Sequence, residues 1–87
     1  MTTTSSADAA LLGDIAQIFQ DVFDDETLAV APAFSRVDNE MWDSMSHLNI
    51  IFGLENKFHI KFGVVDIEEI QSVADIMHLV ARKTSKA

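Results

Sequence analysis

Asp43, Ser44 and His47 are the residues whose types and spacing could do chemistry. A hydroxyl and an imidazole three positions apart can touch along a helix, and a neighbouring acid completes the outline of a nucleophile with its base. That use needs Asp43 to orient the far nitrogen of His47, and no glycine-rich turn supplies an oxyanion hole. A second use of Ser44 is as a helix cap, its oxygen accepting a backbone N–H of the first turn. A third is as a point of attachment, since a phosphate at a helix start meets unpaired N–H groups and the positive end of the helix dipole. His47 has a plainer reading too: an imidazole wedged between helix and loop, hydrogen-bonded to backbone. Residue types alone leave these uses open.

The element that must position Ser44 is the stretch that follows it. Residues 45 to 58 carry seven large apolar side chains, Met45, Leu48, Ile50, Ile51, Phe52, Leu54 and Phe58. On a helical wheel they span roughly 220°, whereas a surface helix needs an apolar arc of little more than ~100°. Ile50, Ile51, Leu54 and Phe58 form one sector; Met45, Leu48 and Phe52 form another, with Ser44 and Glu55 between them. The first sector serves a core. The second is surplus and needs a partner, a ligand or a neighbouring loop to cover it, with Met45 and Phe52 as candidates for a contact patch, while Trp42, just before it, reads as packing.

Helical spacing also runs through Leu11, Leu12, Ile15, Ile18, Phe19, Val22 and Phe23. Ser5 and Asp8 have capping-box spacing at its start, and Asp24-Asp25-Glu26 opposes the dipole at its end. Residues 24 to 43 lack helical period and include Pro32; Leu28, Val30, Phe34 and Val37 are expected to pin this long loop to the helices. Phe58 to Phe62 alternates but has no partner strand, so it reads as an extended connector. Asp66 to Glu69 and Ser72 to Asp75 each have capping-box spacing. The first starts a short turn through Ile70. The second starts a helix with Val73, Ile76, Met77 and Val80 on one face, and Arg82 and Lys83 at its end. The predicted fold is all-α: a small bundle of three long helices plus one short helix, with a long loop between the first and second helices. Its boundaries are expected at 8–83, with tails at 1–7 and 84–87. The predicted core is Leu12, Ile15, Phe19, Ile51, Leu54, Phe58, Ile67, Val73 and Ile76.

Composition narrows the function classes. The 87 residues make one small domain, and 48% apolar content places it among folded chains despite a net charge of −8. Residues 8 to 43 hold nine acids against the single base Arg36, a surface that repels nucleic acid and suits basic docking partners. No run is long enough to span a membrane, and the N-terminus lacks the features of a signal peptide. With no cysteine there is no disulfide or thiolate chemistry. His59 and His78 stand apart from acids at ligand spacing, and Asp24-Asp25-Glu26 reads as a solvated charge run, so no metal is expected. A cytoplasmic monomer is expected.

The segment Trp42-Asp43-Ser44-Met45-Ser46-His47-Leu48 resembles the phosphopantetheine-attachment motif of acyl carrier proteins, Asp-Ser-Leu at the start of the second helix. The resemblance continues through Leu54-Glu55-Asn56-Lys57-Phe58, Ile60, the acidic Asp66-Ile67-Glu68-Glu69-Ile70 and Ser72-Val73-Ala74-Asp75-Ile76, covering roughly residues 8 to 83. The chain departs from the family at Glu40-Met41, where Leu-Gly is frequent, and at Met45, which replaces Leu at similar volume. Ser46, Asn49, Asn56 and Lys57 stand at positions that are often acidic, which hints at a dedicated set of partners. Gly53, where small residues are common, leaves room for close approach of a backbone or a bound chain.

The resemblance implies a carrier rather than an enzyme. Ser44 would hold covalent 4'-phosphopantetheine, installed by a phosphopantetheinyl transferase from coenzyme A with Mg²⁺. The arm's thiol would carry acyl intermediates as thioesters for fatty-acid, polyketide or related biosynthetic enzymes. Asp43, Met45, Leu48, Phe52, Glu55, Glu68 and Glu69 are the implied docking residues, and the partners include an acyl- or aminoacyl-loading ligase. The alternatives are an aminoacyl or peptidyl carrier of a nonribosomal pathway, and a helical interaction module without a prosthetic group.

Overall fold

A computed structural model describes residues 6–84, with side chains from residue 9 onward. Four helices follow in order: α1 (Ser6–Val22), α2 (Ser44–Phe58), α3 (Val64–Glu69) and α4 (Val73–Thr84). Among the described residues there is no strand, only one isolated antiparallel bridge between Ser35 and Ser72. The bundle is therefore all-α, as the spacing predicts. Its helices run from Ser6 to Thr84 against expected limits of 8–83; the Ser5–Asp8 cap lies outside the residues whose side chains are described.

The period of the apolar residues decides how the helices meet. Ile15, Ile18 and Phe19 of α1 are buried against Ile50, Ile51 and Leu54 of α2 and Val73, Ile76, Leu79 and Val80 of α4. α1 and α2 run antiparallel, for Gly53 lies against Ile18 and Lys57 against Asp14 at 3.8 Å. A Cβ built on Gly53 would come within 3.0 Å of Ile18 Cγ2. The small residue there serves the α1 contact rather than a bound chain.

Six of the nine predicted core residues are fully enclosed; Leu12, Phe58 and Ile67 are instead half-buried at the margin. Their places are filled by Ile18, Trp42, Ile50, Phe62, Ile70, Leu79 and Val80. Trp42, Phe62 and Ile70 lie outside the helices, where periodicity gives no guide to burial.

The long loop is fixed by backbone as well as by side chains. Arg36 N–H donates to Gln71 O at 2.9 Å, Val73 N–H to Phe34 O at 2.9 Å, and Ala74 N–H to Pro32 O at 3.0 Å. Residues 32–36 thus lie along the α3–α4 junction and satisfy donors at the start of α4. Leu28, Val30 and Phe34 pack on the core as expected. Val37 does not: it is 88% exposed, because the turn at Arg36–Asn39 carries it away from the helices.

The helix ends also revise the expected caps. α3 begins at Val64, and Asp66 caps it by accepting the Gly63 N–H at 3.0 Å, so Asp66 stands in the first turn and not before it. Lys83 meets the same carboxylate at 3.0 Å and lies 5.6 Å above the Phe62 ring, tying α4 to α3. Ser72 caps α4 through Asp75 N–H at 3.2 Å, while the Asp75 carboxylate accepts Gln71 N–H at 2.9 Å. α2 closes with His59 in the left-handed region, φ 56°, its N–H donating to Glu55 O.

Candidate functional site

Ser44 is the first residue of α2 and is exposed. The cap is supplied by Asp43, whose backbone is extended (φ −93°, ψ −173°) and whose carboxylate accepts Ser46 N–H at 2.9 Å. That hydrogen bond holds the Asp43 carboxyl below the usual carboxylate range. Asp43 O accepts His47 N–H at 2.8 Å, the first turn of the helix. With the cap made by its neighbour, Ser44 stands at the positive helix end without having to serve as the cap itself.

The residue before this pair anchors it. Trp42 is 2% exposed, and its ring meets Phe19 edge-on with centroids 4.9 Å apart and stacks on Phe34 at 6.0 Å. Phe19 and Phe34 meet edge-on at 5.6 Å. These three rings join α1, the long loop and the entry to α2, so the chain enters the helix from a buried point. Trp42 N–H donates to Asn39 O at 3.0 Å, and Asn39 Nδ2 to Ser35 O at 2.8 Å, which completes the turn leading to Asp43.

His47, unlike the exposed Ser44, is buried in the core at 5% exposure. The Trp42 indole N–H donates to its Nδ1 at 2.9 Å, and Nε2 lies 2.8 Å from Ile67 O. An acceptor at one nitrogen and a donor at the other define the neutral Nε2–H tautomer. Burial pushes the His47 pKa below the ordinary histidine value; the Ile67 carbonyl opposes it in part, and the Arg36 charge adds a lesser lowering. With both nitrogens engaged, His47 is not available as a base for Ser44, and the nucleophile-and-base use is removed. The backbone-bonded histidine of the plainer reading is what the fold contains.

Of the implied docking residues, Met45 (69% exposed), Leu48 and Phe52 (61% exposed) lie in the open on α2. Glu68 and Glu69 are exposed on α3. Glu55 is half-buried, and its carboxylate accepts Phe62 N–H at 2.9 Å, so it also organises the connector. Val64 and Val65, at the start of α3, are exposed apolar residues too. They escape a reading by spacing because two adjacent valines carry no periodicity. Among the described residues no group of acids, histidines or cysteines could hold a metal ion, and no helix is long and apolar enough to cross a membrane.

No protein-family model matches the chain. No curated protein matches it either. Among solved structures, the chain is similar to the solution NMR structure of a holo acyl carrier protein from Geobacter metallireducens. The two share 36% sequence identity over 84% of each chain, with a TM-score of 0.76.

Proposed function

The chain belongs to the acyl carrier protein family, and from that premise we propose that Ser44 is the attachment point of a 4'-phosphopantetheine arm. The observation that carries the reading is the division of labour at the α2 start: Asp43 makes the cap, and Ser44 stands exposed at the helix tip. The residues fit the group. A phosphodiester at this position meets the positive helix end. Exposure lets a transferase bring the coenzyme A pyrophosphate to Ser44 Oγ. The hydroxyl gives up its proton and forms the new P–O bond as the P–O bond to the nucleotide phosphate breaks and that phosphate leaves. When bound, the arm supplies a thiol that holds a carboxylic acid as its thioester.

The chain's own residues hold the arm in place and present it. Trp42 fixes the entry to α2 from the buried side, and the Asp43 cap keeps the first turn wound. Met45, Leu48 and Phe52, with Asp43, Glu55, Glu68 and Glu69, form the face that partner enzymes meet. Tethering raises the local concentration of a substrate at each docked enzyme without tight binding. The partners are a phosphopantetheinyl transferase, a loading ligase and downstream biosynthetic enzymes; acyl intermediates of fatty-acid, polyketide or related pathways are the proposed cargo.

Co-expression with a broad-specificity phosphopantetheinyl transferase, read by intact mass, tests the proposal. One added phosphopantetheinyl group, absent from Ser44→Ala, is the expected result. A wild-type chain that gains no mass counts against any carrier role and leaves the helical interaction module. Loading the modified chain with acyl against aminoacyl donors separates an acyl carrier from an aminoacyl or peptidyl carrier.

A further inference from the structure

α3 cannot hold itself in place. Six residues, Val64–Glu69, are too few for a helix to be stable alone, and none of their side chains is fully buried. Phe62 before it and Ile70 after it are sunk in the core, so the segment is anchored at its two ends. Between those ends, side chains from two other helices reach it. Lys83 of α4 meets Asp66 at 3.0 Å, a pair that solvent partly screens. The buried His47 of α2 meets Ile67 O at 2.8 Å. Among the described residues, no other hydrogen bond or ion pair joins α2 to α3.

The Ile67 carbonyl needs that partner. It is one of the last four carbonyls of α3, which have no donor inside the helix. In a longer helix its donor would be the Gln71 N–H, which goes instead to the Asp75 carboxylate at 2.9 Å. The next carbonyl, Glu68 O, accepts from the Gln71 side chain at 3.0 Å. His47 can serve Ile67 because Trp42 fixes its tautomer: an indole N–H only donates, so Nδ1 accepts and Nε2 carries the proton. Trp42 is itself held by Phe19 and Phe34. A fixed point of the core thus sets the imidazole, and the imidazole sets α3.

His47 stands three residues past Ser44, about 4.5 Å along the helix axis. Ile67 is followed directly by Glu68 and Glu69, the exposed acids of α3. One ring therefore links the placement of those acids to that of Ser44. Resting on the carrier reading above, we propose that His47 is a positioning residue for arm transfer: it caps α3 from the core and holds the α3 acids in register with Ser44 for the enzyme that must meet both. The reaction at Ser44 Oγ does not use the imidazole. Loss of the cap weakens the enzyme's hold on the chain and leaves the transfer step itself intact.

Two substitutions of different reach test it. In His47→Asn the side-chain oxygen stands near the Nδ1 position and still accepts the Trp42 N–H, but the amide is too short to reach Ile67 O. In His47→Gln the amide N–H lies near the Nε2 position and reaches that carbonyl. Gly53→Ala, which crowds Ile18 at the α1 contact, controls for a general loss of stability. Amide hydrogen exchange is read by NMR on the full chain without the arm. Arm transfer by a broad-specificity phosphopantetheinyl transferase, with saturating coenzyme A and Mg²⁺, is followed by intact mass and gives kcat and the KM for the chain.

In His47→Asn the amides of Ile67, Glu68 and Glu69 should exchange about tenfold faster or more, because the helix has lost a buried cap. KM should rise about fivefold or more, with kcat within about twofold of wild type. His47→Gln should bring both exchange and KM back to within about twofold of wild type, and Gly53→Ala should leave both in that range. His47→Asn and His47→Gln behaving alike, α3 exchange rising equally in Gly53→Ala, or an unchanged KM in His47→Asn overturns the positioning role and leaves the carrier standing. A wild-type chain that gains no arm overturns the carrier reading and the role in arm transfer together, while the exchange rates still decide whether His47 holds α3.

Discussion

The indole N–H of Trp42 donates to Nδ1 of His47 over 2.9 Å, while the other nitrogen of that ring meets Ile67 O at 2.8 Å. One imidazole therefore joins the end of the long loop, the first turns of α2 and the short α3, three residues away from the exposed Ser44. The chain thus sets the start of α2 from behind, through a buried polar contact that works only while His47 is neutral.

That condition gives the fold a pH dependence with a definite sign. The His47 pKa is lower in the folded chain than its ordinary value of 6.5, chiefly through burial. Between the two pKa values the unfolded chain binds the proton and the folded chain does not, so stability rises with pH there. The contribution is fully present above about 6.5 and is lost as pH falls from there through the folded pKa. Urea midpoints across this window should fall with acidity in wild type, and the His47 part should vanish in His47→Gln. Trp42→Phe removes the donor opposite Nδ1 and should raise the His47 pKa, seen by NMR titration of the ring. It should also destabilise the chain by about 1–3 kcal/mol, because a buried acceptor loses its partner. An unchanged His47 titration in that variant would contradict the tautomer assigned here.

The two helical glycines should respond to alanine in opposite directions. Gly13 is exposed and a Cβ there meets nothing within 4 Å. Gly13→Ala should therefore stabilise by about 1 kcal/mol through helix propensity alone. At Gly53 the same methyl comes within 3.0 Å of Ile18 Cγ2, a branch close to the backbone with little freedom to move. Overpacking of this kind costs about 1–3 kcal/mol, which exceeds the propensity gain. Thermal unfolding of the two variants should move Tm up for the first and down for the second.

Much of the fold was legible in spacing because helices report their own buried face. Ile15 and Phe19 of α1, and Val73 and Ile76 of α4, fall where a 3.6-residue period puts them. The excess apolar arc of α2 likewise anticipated that Met45, Leu48 and Phe52 would remain outside. What spacing does not encode is contact between distant segments. His47 meets Ile67 across twenty positions, and the Ser35–Ser72 bridge joins backbone that carries no pattern at all. The start of α3 was misplaced because Asp66 and Glu69 have capping-box spacing, whereas Asp66 caps from inside the helix. Ser44 itself needed the resemblance, since a serine after an acid at a helix start is also what an ordinary cap looks like.

His59 closes α2 in a conformation that side chains resist. Its φ of 56° and ψ of 48° lie in the left-handed region, where a Cβ crowds the following carbonyl oxygen. Ile60 N–H donates to Glu55 O at 3.2 Å, so the chain turns sharply out of the helix here. Glycine relieves the crowding but adds freedom to the unfolded chain, which offsets part of the gain. His59→Gly should stabilise by about 0.5–1 kcal/mol net. For a domain this small that raises Tm by roughly 2–8 °C. Unfolding monitored by circular dichroism checks it; a lower Tm would show that the ring makes a contact outweighing the backbone relief.

Ser44 and Asp43 should separate carrying from folding. Because Asp43 makes the cap, Ser44→Ala removes a hydroxyl from an exposed position, and its stability should lie within about 0.5 kcal/mol of wild type. The same variant should gain no phosphopantetheinyl group. Asp43→Ala has the converse pattern. It retains the hydroxyl but loses the acceptor for Ser46 N–H, so the first turn of α2 frays and Tm falls. Attachment in that variant should be slowed rather than abolished, because the acceptor oxygen is present on a less ordered turn. Asn at position 43 restores a side-chain oxygen to the cap and should recover most of the lost stability without the charge. Mass spectrometry and thermal melts on the three variants decide it. If Ser44→Ala melts as low as Asp43→Ala, the hydroxyl is part of the cap and the division between the two residues is wrong.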